Sequence, residues 1–258
     1  MRFRALVPLL ACTVCFAGPP RSAQDILTAA RNALGLKRGA VHALTIAASS
    51  DRGSQSSDVA MTLEMPDKYL RETRAVSFGG LSDPNSRTPA PGSFFVPPTT
   101  VQCVDGDDIW SGVRVAPGGD EPQKPAPLDD SRKRNLSFQF SRYLLVFLLD
   151  TRPDFPVDFE YLGQTPSPTG MADVVEGKGP EEFLVRLFFD TKTHRPLMLA
   201  YTSPSGLVQL WLDKYREDGG FLLPHRLTTM VNGDTTEVFN VKKVKINPPV
   251  PEEKFKAF

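Results

Sequence analysis

In Phe183-Leu-Val-Arg-Leu-Phe-Phe-Asp190 every second residue is large and apolar, so Phe183, Val185, Leu187 and Phe189 fall on one side of an extended chain. A period of two is that of a β-strand with one buried face. The turn Asp190–Arg195 follows, and Leu197, Leu199 and Tyr201 repeat the pattern. Strands are predicted over Phe183–Asp190 itself and at Asp158–Gly163, Met171–Gly177, Leu197–Thr202, Val208–Tyr215, Pro224–Val231 and Thr235–Ile246. Turns fall at Ser203–Gly206, Glu217–Gly220 and Asn232-Gly233-Asp234. Asn-Gly between apolar runs is a strong hairpin signal. Short turns make successive strands antiparallel neighbours, so this half reads as a meander.

The same period runs through the other half. Val59, Met61, Leu63 and Met65 alternate with Ala60, Thr62 and Glu64. Val41–Ser49 is a partner strand across the polar turn Ser50–Ser57, and Pro66-Asp67 turns into Lys68–Ser77. Thr99–Val104 and Asp108–Val113 flank Asp105-Gly106-Asp107. Two Pro-rich stretches, Gly79–Pro98 and Ala116–Pro127, read as long loops with disordered tips, without aromatic anchors beyond Phe94-Phe95. Two segments read as helices. Ala23–Lys37 places Ile26, Leu27, Ala30 and Leu34 near helical spacing, with Asp25 as its cap and Gly35 or Gly39 at its end. Asp129–Asp150 contains Tyr143-Leu-Leu-Val-Phe-Leu-Leu149, apolar all round. A helix greasy on every face must be covered on every face. It is too short to span a bilayer, which leaves a core helix wrapped by the sheet or a plug in an apolar cavity. The expected fold is mainly β with helices: an incomplete antiparallel β-barrel of about eleven strands with helices packed on its concave face.

Composition narrows the function classes. The 258 residues carry 30 Lys+Arg against 30 Asp+Glu, a net charge of zero, with a sequence pI near 6.8. That removes the basic footprint of a nucleic-acid binder. His42, His194 and His225 are not at zinc spacing with one another or with Cys. Ser203-Pro-Ser-Gly206 lacks the first Gly of a nucleophile elbow. Asp105, Asp107 and Asp108 lack the distal Glu of a calcium loop. The run Lys242-Lys243-x-Lys245 reads as a solvated strand face. No cofactor loop is present, so neither an enzyme nor a cofactor protein is expected.

The N-terminus reads as an export signal. Arg2 and Arg4 precede the apolar run Ala5–Ala17, which Pro19-Pro20 end. Residues 1–23 are assigned to the signal and 24–258 to one domain, with cleavage expected between Ala17 and Gln24. Leu9-Leu-Ala-Cys12 is the alternative, a lipobox that would anchor a lipoprotein through Cys12. Cleavage near Ala17 or Ala23 removes Cys12 and Cys15 and leaves Cys103 without a disulfide partner.

The order of these elements resembles the LolA/LolB-like outer-membrane lipoprotein-sorting family. The matching residues are Met65-Pro-Asp-Lys-Tyr69, Val104-Asp-Gly-Asp-Asp-Ile-Trp110, Phe189-Asp-Thr-Lys-Thr-His-Arg-Pro196, Gly220-Phe-Leu-Leu-Pro-His-Arg226 and the tail Val244–Phe255. The resemblance implies a half-barrel with an apolar concave side partly filled by helices. It also implies a periplasmic or secreted, monomeric, non-catalytic carrier of lipoprotein acyl chains or other lipids, served by a membrane receptor. A sensing or scaffold module on the same fold, without acyl cargo, is the alternative. Expected cavity residues are Leu144, Phe147 and Leu148 from the helix, Val59, Met61 and Leu63 from one strand, and Trp110 and Trp211. Met65 stands where the family often has the Arg that helps hold its lid.

Overall fold

The computed structural model describes residues 22–37, 39–77, 97–114 and 123–258. The strands run β1 Ala43–Arg52, β2 Gln55–Glu64, β3 Lys68–Ser77, β4 Thr99–Asp105, β5 Asp108–Arg114, β6 Gln123–Ala126, β7 Asp158–Ser167, β8 Gly170–Lys178, β9 Leu184–Asp190, β10 Pro196–Ser203, β11 Gly206–Asp218, β12 Phe221–Val231 and β13 Asp234–Ile246. They form a single thirteen-stranded sheet in the order β6-β5-β4-β3-β2-β1-β13-β12-β11-β10-β9-β8-β7. Every ladder is antiparallel. The two hairpin series join where β1 pairs β13, and β6 and β7 are left as edges. The incomplete antiparallel barrel is therefore the fold, with thirteen strands among the described residues against about eleven expected.

Most differences from the sequence reading lie at strand ends. The segment Ser50–Ser57, expected as a polar turn, continues β1 and β2 to a turn at Gly53-Ser54, with Ser50 paired to Ser57. Backbone pairing carries strands beyond the end of their apolar pattern. Of the expected loop Ala116–Pro127, Gln123–Ala126 forms β6 against β5. Most of Gly79–Pro98 and residues 116–122 lie outside the described residues, as does the leader.

Two helices lie on one face of the sheet, here the inner face. Helix α1 (Ala23–Ala33) is capped by Ser22, not Asp25: the Ser22 hydroxyl accepts from the Asp25 amide, and the Asp25 carboxylate accepts from the Ser22 amide. This is a reciprocal capping box. Gly35 then takes φ +73°, and a Cβ there would come 2.9 Å from the Gly220 carbonyl oxygen. That approach lets the Leu222 amide donate to the Leu34 carbonyl at 2.9 Å, tying α1 to the β11–β12 turn.

Helix α2 (Asp130–Val146) is capped by Asp129, whose carboxylate accepts from the Arg132 amide at 2.8 Å. It ends four residues before the expected Asp150. The amides of Leu148 and Leu149 donate back to the carbonyls of Leu145 and Leu144, at 3.1 and 2.8 Å, and Leu148 has φ +50°. This is a Schellman closure with leucine where glycine is usual. Phe147, Leu148 and Leu149 are all buried, so burial of each side chain in a turn replaces a further turn of helix.

The inner face holds the main core. Leu136, Phe140 and Leu144 of α2 and Ile26, Leu27, Ala30 and Leu34 of α1 pack with Leu44, Ile46, Met61, Leu63, Tyr69, Val175, Leu187, Leu199, Leu212, Leu227 and Phe239 from the strands. A smaller core of Leu70, Val101, Cys103 and Trp110 sits on the outer face, closed by Phe255 of the C-terminal turn Glu252–Phe255.

Candidate functional site

Strand alternation builds the inner face in rows. Leu44, Leu63, Tyr69, Val104 and Ile109 form one row across β1 to β5, and Ile46, Met61, Arg71, Gln102 and Ser111 the next. A third is Ala48, Val59, Thr73, Thr100 and Val113. Helix α2 lies against the first row: Tyr69 stacks on Phe140 and Tyr143 at 5.4 and 6.0 Å between centroids, and Gln139 donates to the Tyr69 hydroxyl at 3.3 Å. On its other flank Phe138, Phe155 and Phe183 make a T-shaped triad at 5.2–5.8 Å. The Arg142 guanidinium lies 3.6 Å over the Tyr201 ring.

The expected cavity residues separate into two groups. Val59, Met61, Leu63, Leu144, Phe147 and Leu148 are all buried and share the inner core. Met65 packs partly buried against the same core, and its amide donates to the His42 carbonyl at 2.9 Å. The two tryptophans point the other way. Trp110 alternates with Ile109, which faces α2, and belongs to the outer core. Its Nε1 donates to the Phe255 carbonyl at 3.1 Å. Trp211 stands between Leu210 and Leu212, which pack into the inner core, and opposite Met198 and Thr228 in the ladders. Both tryptophans therefore lie on the outer face, because their neighbours of opposite parity already fill the inner one.

Of the cavities that border α2, two are lined by a buried arginine. One, of about 470 Å³, lies at its N-terminal half between Asp130, Lys133, Arg134 and Ser137 on one side and Arg152 and Glu181 on the other. Arg152 is buried and already committed, to Ser137 at 2.8 Å and to both carboxylate oxygens of Asp154. The other, of about 330 Å³, opens on the inner face beyond Gln139 and is lined by Ser50, Arg52, Ser57, Arg71, Thr100 and Gln102, among others.

Arg71 anchors this second cavity. It is only 5% exposed. Its Nη1 donates to the Tyr143 hydroxyl at 2.9 Å and its Nη2 to Glu237 Oε1 at 3.4 Å. Glu237 also accepts from the Ser50 hydroxyl at 2.5 Å and from Arg52 Nη2 at 3.1 Å. Burial alone would push the Glu237 carboxyl up, but the Ser50 hydrogen bond and the two guanidinium charges hold it below its usual range. Burial also works against the Arg71 charge, and Tyr143, Tyr69 and Glu237 more than offset it. The network is thus an ionised, hydrogen-bonded cluster at the edge of an apolar core. The sequence pattern points to Tyr143 only as the start of an apolar run and to neither Arg71 nor Glu237, although Arg71 follows Tyr69 by two and must share its face.

Among the described residues no group of three or more His, Cys, Asp or Glu could hold a metal ion. No helix among them is long and apolar enough to cross a membrane.

No family model matches the sequence, and no curated protein matches it. Solved structures do resemble it. A LolA superfamily protein from Nitrosomonas europaea aligns with a TM-score of 0.53 at 14% identity, covering 92% of this chain and 98% of that one. A domain from Vibrio parahaemolyticus described as outer-membrane lipoprotein-sorting gives 0.52 at 10% identity, covering 90% and 97%. A DUF1329 family protein from Desulfovibrio piger gives 0.52 at 9% identity, covering 91% and 95%. Such identities speak to architecture alone, and by architecture this chain has the LolA-like fold.

Proposed function

We propose that the protein is an exported carrier that binds acyl chains on the inner face of its sheet, with α2 as the element that gives way, and that it moves cargo without catalysis. The observation that carries this reading is the kind of contact holding α2. Leu136, Phe140 and Leu144 lie in a continuous apolar core, while the described side-chain hydrogen bonds from α2 to the sheet are those of Gln139 to Tyr69 and of Tyr143 with Arg71. Apolar burial is non-directional, so a hydrocarbon chain can take the place of a helix face. At about 0.8 kcal/mol per buried methylene, a long acyl chain offsets the displacement of several side chains at about 1.5–3 kcal/mol each. The fold shared with lipoprotein-sorting proteins agrees with such a role.

Export through the Arg2/Arg4 leader places this activity in the periplasm or outside the cell. Cleavage after Ala17 would spare the Ser22 cap of α1, which a cut after Ala23 would remove. The test is titration of the mature chain with a fluorescent fatty acid below its micelle threshold. Saturable uptake is expected, together with faster amide exchange in α2 on binding. Wild-type protein that takes up no probe would sink the carrier reading and leave a scaffold that binds a protein partner.

A further inference from the structure

The cavity beside Arg71 differs in chemistry from the core it adjoins. Its walls are hydroxyls and amides: Ser57, Thr73 and Thr100 from the strands, Gln102 beside them, and Gln139 from α2. Among the described residues two guanidiniums, Arg52 and Arg71, pair with one carboxylate, Glu237, an excess of one positive charge. Its volume of about 330 Å³ corresponds to roughly ten water molecules at about 30 Å³ each, more room than a bare carboxylate needs.

The position of Arg71 makes the difference useful. Met61 and Ile46 stand beside it in the same row, and Val59 and Ala48 in the next, all buried in the inner core. The Arg71 guanidinium lies 5.9 Å over the Phe239 ring. A charged group so deep is costly unless paired, and its weakest tie is the 3.4 Å contact with Glu237. A stronger acceptor can share it. A guanidinium matches the oxygens of a phosphate in a planar, two-bonded contact.

We propose that this cavity is a headgroup site for a phosphate ester carrying free hydroxyls, of the phosphoglycerol kind. Arg71 takes the phosphate, and Ser57, Thr100 and Gln102 take the hydroxyls. Resting on the carrier reading above, the site sorts cargo: the acyl chain enters the apolar core and the anionic head stays at Arg71.

The experiment titrates the full mature chain with three probes: oleoyl lysophosphatidic acid, monoolein and glycerol phosphate. The phosphate lipid is expected to bind at least tenfold more tightly than monoolein. That preference, the ratio of the two affinities, should vanish in Arg71→Met, which keeps an unbranched apolar stem and removes the charge. Thr100→Val with Gln102→Leu should weaken lysophosphatidic acid binding several-fold with Arg71 in place, because its free hydroxyl loses its partners, and this pair decides the matter if Arg71→Met does not fold. Equal binding of the two lipids by the wild type, an unchanged preference in Arg71→Met, or unchanged lysophosphatidic acid binding in the Thr100→Val/Gln102→Leu pair overturns the headgroup site and leaves the carrier reading standing. Binding of glycerol phosphate without either lipid, lost in Arg71→Met, supports the phosphate site and overturns the carrier reading. Binding of none of the three overturns both.

Discussion

Asp190 and Leu148 each show a backbone turn held by one side chain. Asp190 ends β9, and its carboxylate accepts from the amides of Lys192 and Thr193 at 3.1 and 2.7 Å and from the hydroxyls of Thr193 and Thr169 at 2.9 and 2.7 Å. Burial pushes its pKa up, but these four bonds outweigh burial and hold it at about 2, against 3.8 for a free Asp. The folded pKa is the lower one, so the ionised carboxylate stabilises the fold above about pH 4, and that contribution is lost as pH falls toward 2. At about 1.4 kcal/mol per pKa unit the loss is on the order of 2 kcal/mol. Urea melts of wild type and Asp190→Asn should differ by about that amount at pH 7 and by roughly a third of it at pH 2.5. A gap as large at pH 2.5 as at pH 7 would mean that shape, not charge, is what Asp190 supplies. Leu148 presents the opposite balance. Its left-handed φ of +50° costs about 1–2 kcal/mol for a residue with a Cβ, and its side chain is only 4% exposed. Leu148→Gly removes the strain, but losing a buried leucine costs about 2–5 kcal/mol. The variant should therefore be less stable by roughly 1–3 kcal/mol in a thermal or denaturant melt.

The C-terminal turn shows how far an element can be read from its residues. Phe255 is fully buried, its carbonyl accepts from Trp110 Nε1 and from the Cys103 thiol, and Phe258 meets Trp110 edge-on at 5.7 Å. The tail is a lid on a second core. Burial pushes the Cys103 thiol up to about 12, so almost none of it is thiolate at neutral pH and it should resist alkylation. Phe255→Ala should cost about 3–5 kcal/mol, red-shift the tryptophan emission and make Cys103 reactive, as peptide mapping after iodoacetamide would show. Unchanged Cys103 labelling would mean that the tail covers the core less tightly than its burial implies. The strands over this core were legible, since Val101 and Cys103 obey the two-residue period. Which face Trp110 takes was not, because both faces of β5 are apolar, Ile109 inward and Trp110 outward. The same ambiguity hid Trp211 between Leu210 and Leu212. The Arg71 network escaped for another reason: Tyr143 and Glu237 are 72 and 166 residues away from Arg71 in sequence, and the packing of α2 on the sheet brings in the first and the β1–β13 pairing the second.

For the molecule as a whole, the open sheet and the position of α2 set two competing demands. The sheet needs its apolar inner face covered, and a carrier needs that cover to yield. If α2 must leave before an acyl chain can enter, the apparent affinity is the intrinsic affinity reduced by the fraction of molecules already open. Leu136 is 6% exposed and contributes to the closed state through α2. Leu136→Ala should lower overall stability by about 2–5 kcal/mol and yet strengthen uptake of a fluorescent fatty acid, because each 1.4 kcal/mol removed from closure alone gives up to about tenfold. Leu187 is fully buried on the sheet wall, and the acyl chain would touch it in the open state. Leu187→Ala should destabilise by a similar amount and weaken uptake. Two truncations with the same sign on stability and opposite signs on affinity separate the cover from the wall. Affinities that fall together in both variants would show α2 to be a fixed part of the core, and any cargo would then have to bind outside it.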